Sequence, residues 1–351
     1  MISFKRMWAV FVSRNQEFFR DKAAFGWNFL FPFLIVAGFG LMFSNDTRTE
    51  FKVGVFPLSG EEVSLETLEL PEQFKTSRYI HFIPFASLDQ GMERLGHHKI
   101  DILIKNGRKP WKYWINDSSP KGFIAEKIFR EASLPFENSE KWLVKEKIST
   151  TQIRYIDWLF PGILGMNMMF SALYGVGYVM VRYRKNGVLK RLKATPVTAF
   201  EYLTAQMMSR VFLLLFTVAV VWAGCDAVFS FHTAGSLVDV AVVFLAGSIS
   251  LVSMGLVLAC RGTSEEFASG MINFISWPMM FLSEVWFSLE GAAGWVQDFS
   301  RLFPLTHMLK ALRKIINDGA HLGDVMPELA ILAVITLICL FTASFFFSWT
   351  E

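Results

Sequence analysis

Six apolar runs divide this chain, each close to the roughly 17–25 residues that a helix needs to cross a hydrocarbon core. They lie near Gly26–Phe43, Trp158–Val181, Thr204–Cys225, Leu237–Ala259, Phe267–Phe287 and Leu329–Trp349. Ahead of the first, Phe4, Trp8, Phe11, Val12, Phe18 and Phe19 recur at helical spacing among Lys5, Arg6, Arg14, Arg20 and Lys22. This pattern predicts an amphipathic interfacial helix within residues 1–25, its basic side toward water. The alternative is a plain helical extension of the first span.

Residues 45–155 are polar and follow a different period. Phe51–Phe56, Tyr79–Ile83, Ile100–Ile104 and Trp111–Ile115 read as strands, while Ser87–Leu95 and Gly122–Ala132 have helical character. Strands alternating with helices predict a small α/β domain, at about 100 residues large enough for its own core. Residues 289–320 are also distinct. Leu305, Met308, Leu309, Leu312, Ile315 and Ile316 form an apolar stripe bounded by Pro304 and Gly319, preceded by a shorter apolar-faced piece at Trp295, Val296, Phe299 and Leu302. Two short helices here are expected to dip into the outer leaflet or lie on it. The predicted fold class is thus an α-helical polytopic membrane protein of six spans, with an inserted extracytoplasmic α/β domain.

Composition agrees, with 53% hydrophobic residues and 36 phenylalanines in 351 residues. A net charge of +3 gives no case for nucleic acid, because the cations cluster beside the apolar runs. Cys225, Cys260 and Cys339 fall in or at the ends of apolar segments and read as small core residues rather than a disulfide framework. The polar lead-in to about Phe25 is too long for a signal peptide, and Met42-Phe43-Ser44 is a poor cleavage site, so the first run is expected to stay as an anchor.

The densest cationic stretch, Arg182 to Val197, holds Arg182, Arg184, Lys185, Lys190, Arg191 and Lys193 and no acid. It is expected on the cytoplasmic face, together with the N-terminal basic helix and Glu351. Residues 45–155 then face outward, and the segment 182–200 is a short cytoplasmic loop. Arg301, Lys310, Arg313 and Lys314 argue against this orientation, but two basic clusters outweigh one.

No G-x-x-x-x-G-K-[ST] occurs, so no phosphate-cradling loop is present and the chain is not expected to hydrolyse ATP. His97-His98 reads as a surface pair rather than a metal site, and no nucleophile constellation suggests an enzyme. Asp157, Arg182, Arg210, Asp226 and Asp239 sit near span ends, where they are expected to reach the interface. Glu284 is either a helix-end carboxylate or a gate, while Asn167 and Asn273 either line a translocation route or bond helix to helix.

Three features resemble the type-2 permeases of the ATP-binding cassette (ABC) superfamily. The first is Arg184-Lys185-Asn186-Gly187-Val188-Leu189-Lys190-Arg191-Leu192-Lys193-Ala194-Thr195-Pro196, similar to the family's segment after the second span, although Asn186 stands where Glu is frequent. The second is Phe281–Phe287 with Leu289-Glu290, Gly294-Trp295 and Leu302-Phe303-Pro304-Leu305-Thr306, where Glu284 replaces a commoner Gly. The third is the architecture, including an outer domain after the first span as in drug and lipid exporters. The resemblance spans essentially the whole chain. It implies an exporter permease of a bacterial inner membrane, paired with a second permease, identical or paralogous, and with a cytoplasmic ATPase subunit that carries ATP and Mg. A periplasmic adaptor is a further partner of such exporters. It also implies that Arg184, Lys185, Asn186, Gly187, Lys190, Arg191, Leu192, Lys193 and Pro196 form a coupling helix braced by the N-terminal helix. The competing readings are that these cations only set topology and bind anionic lipid, or that the chain is a non-transporting scaffold working through its outer domain.

Overall fold

The computed structural model describes residues 3–43, 51–58, 67–77, 79–96, 99–107, 110–116, 119–133, 155–231, 233–260, 264–290 and 292–346. The chain forms two compact units, one of Met1–Phe43 with Thr151–Glu351 and one of Ser44–Thr150. His97 and His98 lie outside the described residues, as does the end of the last predicted span at Trp349.

The first unit opens with α1 (Phe4–Arg20) and α2 (Lys22–Phe43), whose segments Phe4–Arg20 and Phe25–Gly40 meet at 64°. Phe4 and Trp8 remain exposed along α1.

In the second unit, β1 (Phe51–Phe56) is followed by α3 (Glu72–Lys75), β2 (Ile80–Pro84), α4 (Leu88–Gly96), β3 (Ile102–Lys105), β4 (Tyr113–Ile115) and α5 (Pro120–Ser133). The sheet order is β2-β1-β3-β4, with β1 parallel to both β2 and β3 and β4 antiparallel to β3. Val53, Val55, Ile102 and Ile104 pack with Phe74 and Phe129 on one face. Leu103 packs with Leu95 and Ile100 on the other. Covering on both faces explains why β3 is a continuous apolar run, as parallel sheets demand.

The chain then returns as α6 (Tyr155–Ala172), a π segment (Leu173–Tyr178) and α7 (Val179–Lys185). A short α8 (Val188–Lys193) leads to α9 (Ala199–Phe229), α10 (Leu237–Leu258) and α11 (Glu265–Leu282). After α12 (Gly294–Ser300) and α13 (Pro304–Asp318), a 3-10 turn (Leu322–Val325) enters α14 (Met326–Phe346). Four of these stretches are long and apolar enough to cross a membrane: Ile156–Lys185, Ala199–Phe229, Leu237–Leu258 and Leu322–Phe346. The bent pair of α1 and α2 makes a fifth if taken as one span.

The fifth predicted run, Phe267–Phe287, is shorter as a helix. It starts at Glu265 and stops at Leu282, because Glu284 turns into the left-handed region at φ 59° and reverses the chain. The expectation for α13 also changes. All six residues of its apolar stripe are buried, and they join the cores of α6 and α10 rather than facing lipid. Its limits do match the Pro304 and Gly319 signals, with Gly319 at φ 69° closing the helix.

Close helix approach depends on small residues. A Cβ at Gly162 of α6 would lie 2.7 Å from the backbone oxygen of Val285, and one at Gly247 of α10 would lie 2.1 Å from the sulfur of Met308. The Met308 side chain can swing aside, but the Val285 backbone cannot. Gly162→Ala is therefore expected to destabilise the bundle by about 1–3 kcal/mol, the usual range for overpacking. A lowered thermal midpoint of the purified protein in detergent would show it.

Candidate functional site

The basic segment folds as two short helices with a hinge between them. α7 ends at Lys185, Asn186 caps it, and Gly187 adopts φ 68°, a conformation in which a Cβ is strained. α8 follows, with Leu189 fully buried as its anchor. A turn past Pro196 then reaches Thr198, which opens α9 with a capping box: its hydroxyl accepts from the Glu201 amide while Glu201 accepts from the Thr198 amide. Both ends of α8 are therefore fastened to long helices.

The candidate coupling residues divide by environment. Lys190, Arg191 and Lys193 are exposed and have no ion pair or hydrogen bond through their side chains among the described residues. Lys185 is taken by Glu265 at 3.1 Å, and the same carboxylate accepts from the Tyr178 hydroxyl at 2.6 Å, tying α7 to the start of α11. Arg184 departs from the expected role. It is buried and donates to the carbonyls of Ala259 and Cys260 at 3.0 and 3.1 Å, where a cation satisfies the C-terminal end of α10. It holds the bundle and offers nothing to a partner. Leu192 is half-buried, and Asn186 and Pro196 are exposed.

α1 grips both flanks of this segment. One oxygen of Glu201 accepts from the Ser3 amide at 2.6 Å and from Arg6 Nε and Nη2 at 3.1 and 2.8 Å. Further along, Ser209 of α9 donates to the side chain of buried Asn15 at 2.9 Å. On the other flank, Arg14 and Glu17 pair at 2.6 Å and both engage the Tyr183 hydroxyl on α7. The hydrophobic periodicity predicted α1 itself. The signal for its docking was Glu201, three residues after Thr198, which the sequence analysis did not single out.

Above this frame lies a cavity of about 710 Å³, walled by α1, α2, α6, the π segment, α7, α9, α11 and the turn after it. Aromatic groups such as Trp27, Phe31, Phe170, Trp277 and Trp286 form much of its lining. A polar strip crosses it. Arg210 Nη2 donates to the Ser171 backbone oxygen and, at 2.6 Å, to the Ser171 hydroxyl. That hydroxyl donates on to Asn28 Oδ1 at 3.1 Å, and Asn167 donates to the Asn28 backbone oxygen at 3.5 Å. Asn167 is thus both a helix-to-helix bond and a wall residue.

Arg210 was expected at a span end and is not there. α9 begins at Ala199, so Arg210 lies about 16 Å along its axis at 1.5 Å per residue. The shorter apolar run from Thr204 concealed this depth. Asn273 is absent from the cavity wall among the described residues, as is Glu284. Glu284 instead fastens the chain reversal after α11. Its carboxylate accepts from the Leu289 amide at 2.8 Å and its backbone oxygen accepts from Arg313 at 2.6 Å. The Arg313 guanidinium stacks 3.8 Å from the Trp158 ring. The cations that spoke against the expected topology all have acidic partners: Arg301 with Asp298, Lys310 and Lys314 with Glu328, and Arg313 with Glu284. Their presence has a structural cause of its own.

Comparison with known proteins agrees with this architecture. A family model described as ABC-2 family transporter protein matches residues 22–345. The "Probable multidrug ABC transporter permease YbhR" of Escherichia coli strain K12 is 23% identical over 199 residues, 57% of this chain and 54% of that protein. The "ABC transporter G family member 20" of Dictyostelium discoideum is 25% identical over 187 residues, 52% of this chain and 25% of that protein. The match thus spans about half the length of the bacterial relative and a quarter of the other. With a family match over nearly all of its length and a multi-pass bundle of apolar helices, the chain belongs to the ABC-2 family of transporter proteins and is a membrane permease.

Proposed function

We propose that the chain is the membrane subunit of an ATP-driven exporter that moves a hydrophobic or amphiphilic compound out of the cytoplasm or inner leaflet. The observation that carries this reading is α8: three exposed cations, without a side-chain partner among the described residues, on a short helix fastened at both ends to elements that wall the cavity. A cytoplasmic ATPase subunit, holding ATP and Mg, docks on that helix. A displacement of α8 passes through α7 and the Lys185–Glu265–Tyr178 cluster to α11, and through Glu201 and α1 to α9. ATP binding thereby shifts the population between inward- and outward-open arrangements.

In this reading α11 completes six spans, residues 45–155 are extracytoplasmic, both termini are cytoplasmic, and a second permease completes the pathway in a bacterial inner membrane. The multidrug description of the Escherichia coli relative is consistent with an apolar cargo. The test is reconstitution. The chain, co-expressed with a P-loop ATPase subunit from the same genome and placed in liposomes, should drive ATP-dependent movement of a lipophilic dye and raise ATPase turnover. Normal membrane insertion with no associated ATPase would favour the scaffold reading instead.

A further inference from the structure

We propose that Arg210 is the anchor of an anion-binding site, and that the cavity takes an amphiphile with an anionic head group and an apolar body. This rests on the export reading and names the substrate class within it.

The argument starts from the cost of a cation in a membrane. A guanidinium well inside a span persists only when it faces water, is paired, or awaits a charged ligand. Arg210 bonds through one nitrogen, Nη2, to a neutral carbonyl and a neutral hydroxyl. Its Nε is buried with no acceptor, and among the described residues it has no carboxylate partner. Two carboxylates do line the cavity, Glu17 and Asp21, but neither pairs with Arg210, and Glu17 is engaged by Arg14 and Tyr183.

The surroundings are built to hold this side chain. Gly175 on the π segment leaves room for it: a Cβ there would lie 1.9 Å from Arg210 Cζ. Ser171 and Asn28 fix the Nη2 end in a relay, so the guanidinium edge left over keeps its donors free. A guanidinium edge matches a phosphate or carboxylate. The remaining wall, with Phe31, Phe170, Trp277 and Met280, suits an alkyl or aromatic body, and about 710 Å³ is the size of a small-molecule site. An inorganic anion would satisfy Arg210 and leave that apolar wall unused.

The experiment uses the full chain, purified without ATPase or ATP in a neutral maltoside detergent. The probe is radiolabelled dodecyl phosphate, measured by equilibrium binding. Saturable binding is expected, at least tenfold weaker in Arg210→Gln and intermediate in Arg210→Lys, which keeps the charge but loses the planar fork. Gly175→Ala, which places a methyl group where the guanidinium lies, should also weaken it several-fold. Dodecyltrimethylammonium should fail to compete, and inorganic phosphate should compete only at far higher concentration. Unchanged binding in a folded Arg210→Gln protein would overturn the assignment, as would equal competition by the cationic amphiphile. Equal competition by inorganic phosphate would assign the site to a small free anion and overturn the amphiphile. Should Arg210→Gln not fold, Gly175→Ala and Arg210→Lys decide, with undiminished binding in Gly175→Ala counting against the proposal. Because no nucleotide or partner is present, binding that survives a failed transport assay would sink the export reading alone.

Discussion

Replacing Lys190, Arg191 and Lys193 together with glutamate is expected to abolish co-purification of the ATPase subunit while the chain still inserts and folds. The three side chains are exposed and bond to nothing else among the described residues, so their reversal removes no internal interaction. Their effect falls on whatever approaches α8. Three positive charges become negative at one small surface, a change of six units, and like charges facing an acidic partner repel strongly enough to prevent docking. The parent complex should also weaken as salt is raised, because exposed charges are screened beyond about 10 Å at 0.1 M. Leu189→Asp provides the contrast. It places a charge at a fully buried anchor and should unfold α8 locally, so it loses the ATPase by a different route and shows increased proteolysis there. Retention of the ATPase by the triple variant at physiological salt would show that α8 is not the docking element.

Glu201→Ala is the second large effect, and it acts on the frame. One carboxylate there receives the Ser3 amide, two nitrogens of the Arg6 guanidinium and the Thr198 amide, so its loss leaves four donors without their acceptor. The capping box at the head of α9 disappears in the same step. α1 should then separate from α9 at its N-terminal end, although Asn15 and Tyr183 still hold its far half. The expected readout is at least a tenfold faster tryptic cleavage after Arg6, together with a loss of ATPase-coupled transport that exceeds any loss of ATPase binding. Glu201→Gln keeps the acceptor oxygen and should fall between the two. If transport and cleavage in Glu201→Ala match the parent, α1 is a passive anchor rather than a brace.

Much of this was written in local patterns. The period-2 runs of the second unit and the period-3.6 stripes of α1 and α13 are set by side chains within a few residues of one another. Each strand and helix expected in that unit consequently lies within a residue or two of its predicted place, whereas the short α3 was not anticipated. Gly187, Pro304 and Gly319 acted the same way, since the backbone conformations they permit or impose depend on no distant contact. The candidate coupling set was legible as a cluster but not as individuals. Arg184 and Lys190 look alike in a string of basic residues, and only burial against the end of α10 separates an internal strut from an exposed cation.

The same distinction divides the whole protein. Residue order alone determined that this is a polytopic membrane chain and which loop is cationic, because hydropathy acts over one element at a time, while the ends of α9 and α11 fell about five residues from their expected places. Which polar groups converge was settled by packing between elements far apart in the chain. Asn28, Ser171 and Arg210 stand 143 and 39 residues apart and meet on one cavity wall, and Ser3 meets Glu201 across 198 residues. Glu284, a candidate gate by its place in an apolar run, became a fastening because Arg313 lay on the helix that folded beneath it. Arg210 changed most. An apolar run shows that a charge is present but not whether a carboxylate waits across the bundle, and that Arg210 meets Ser171 and no carboxylate among the described residues is a property of three dimensions.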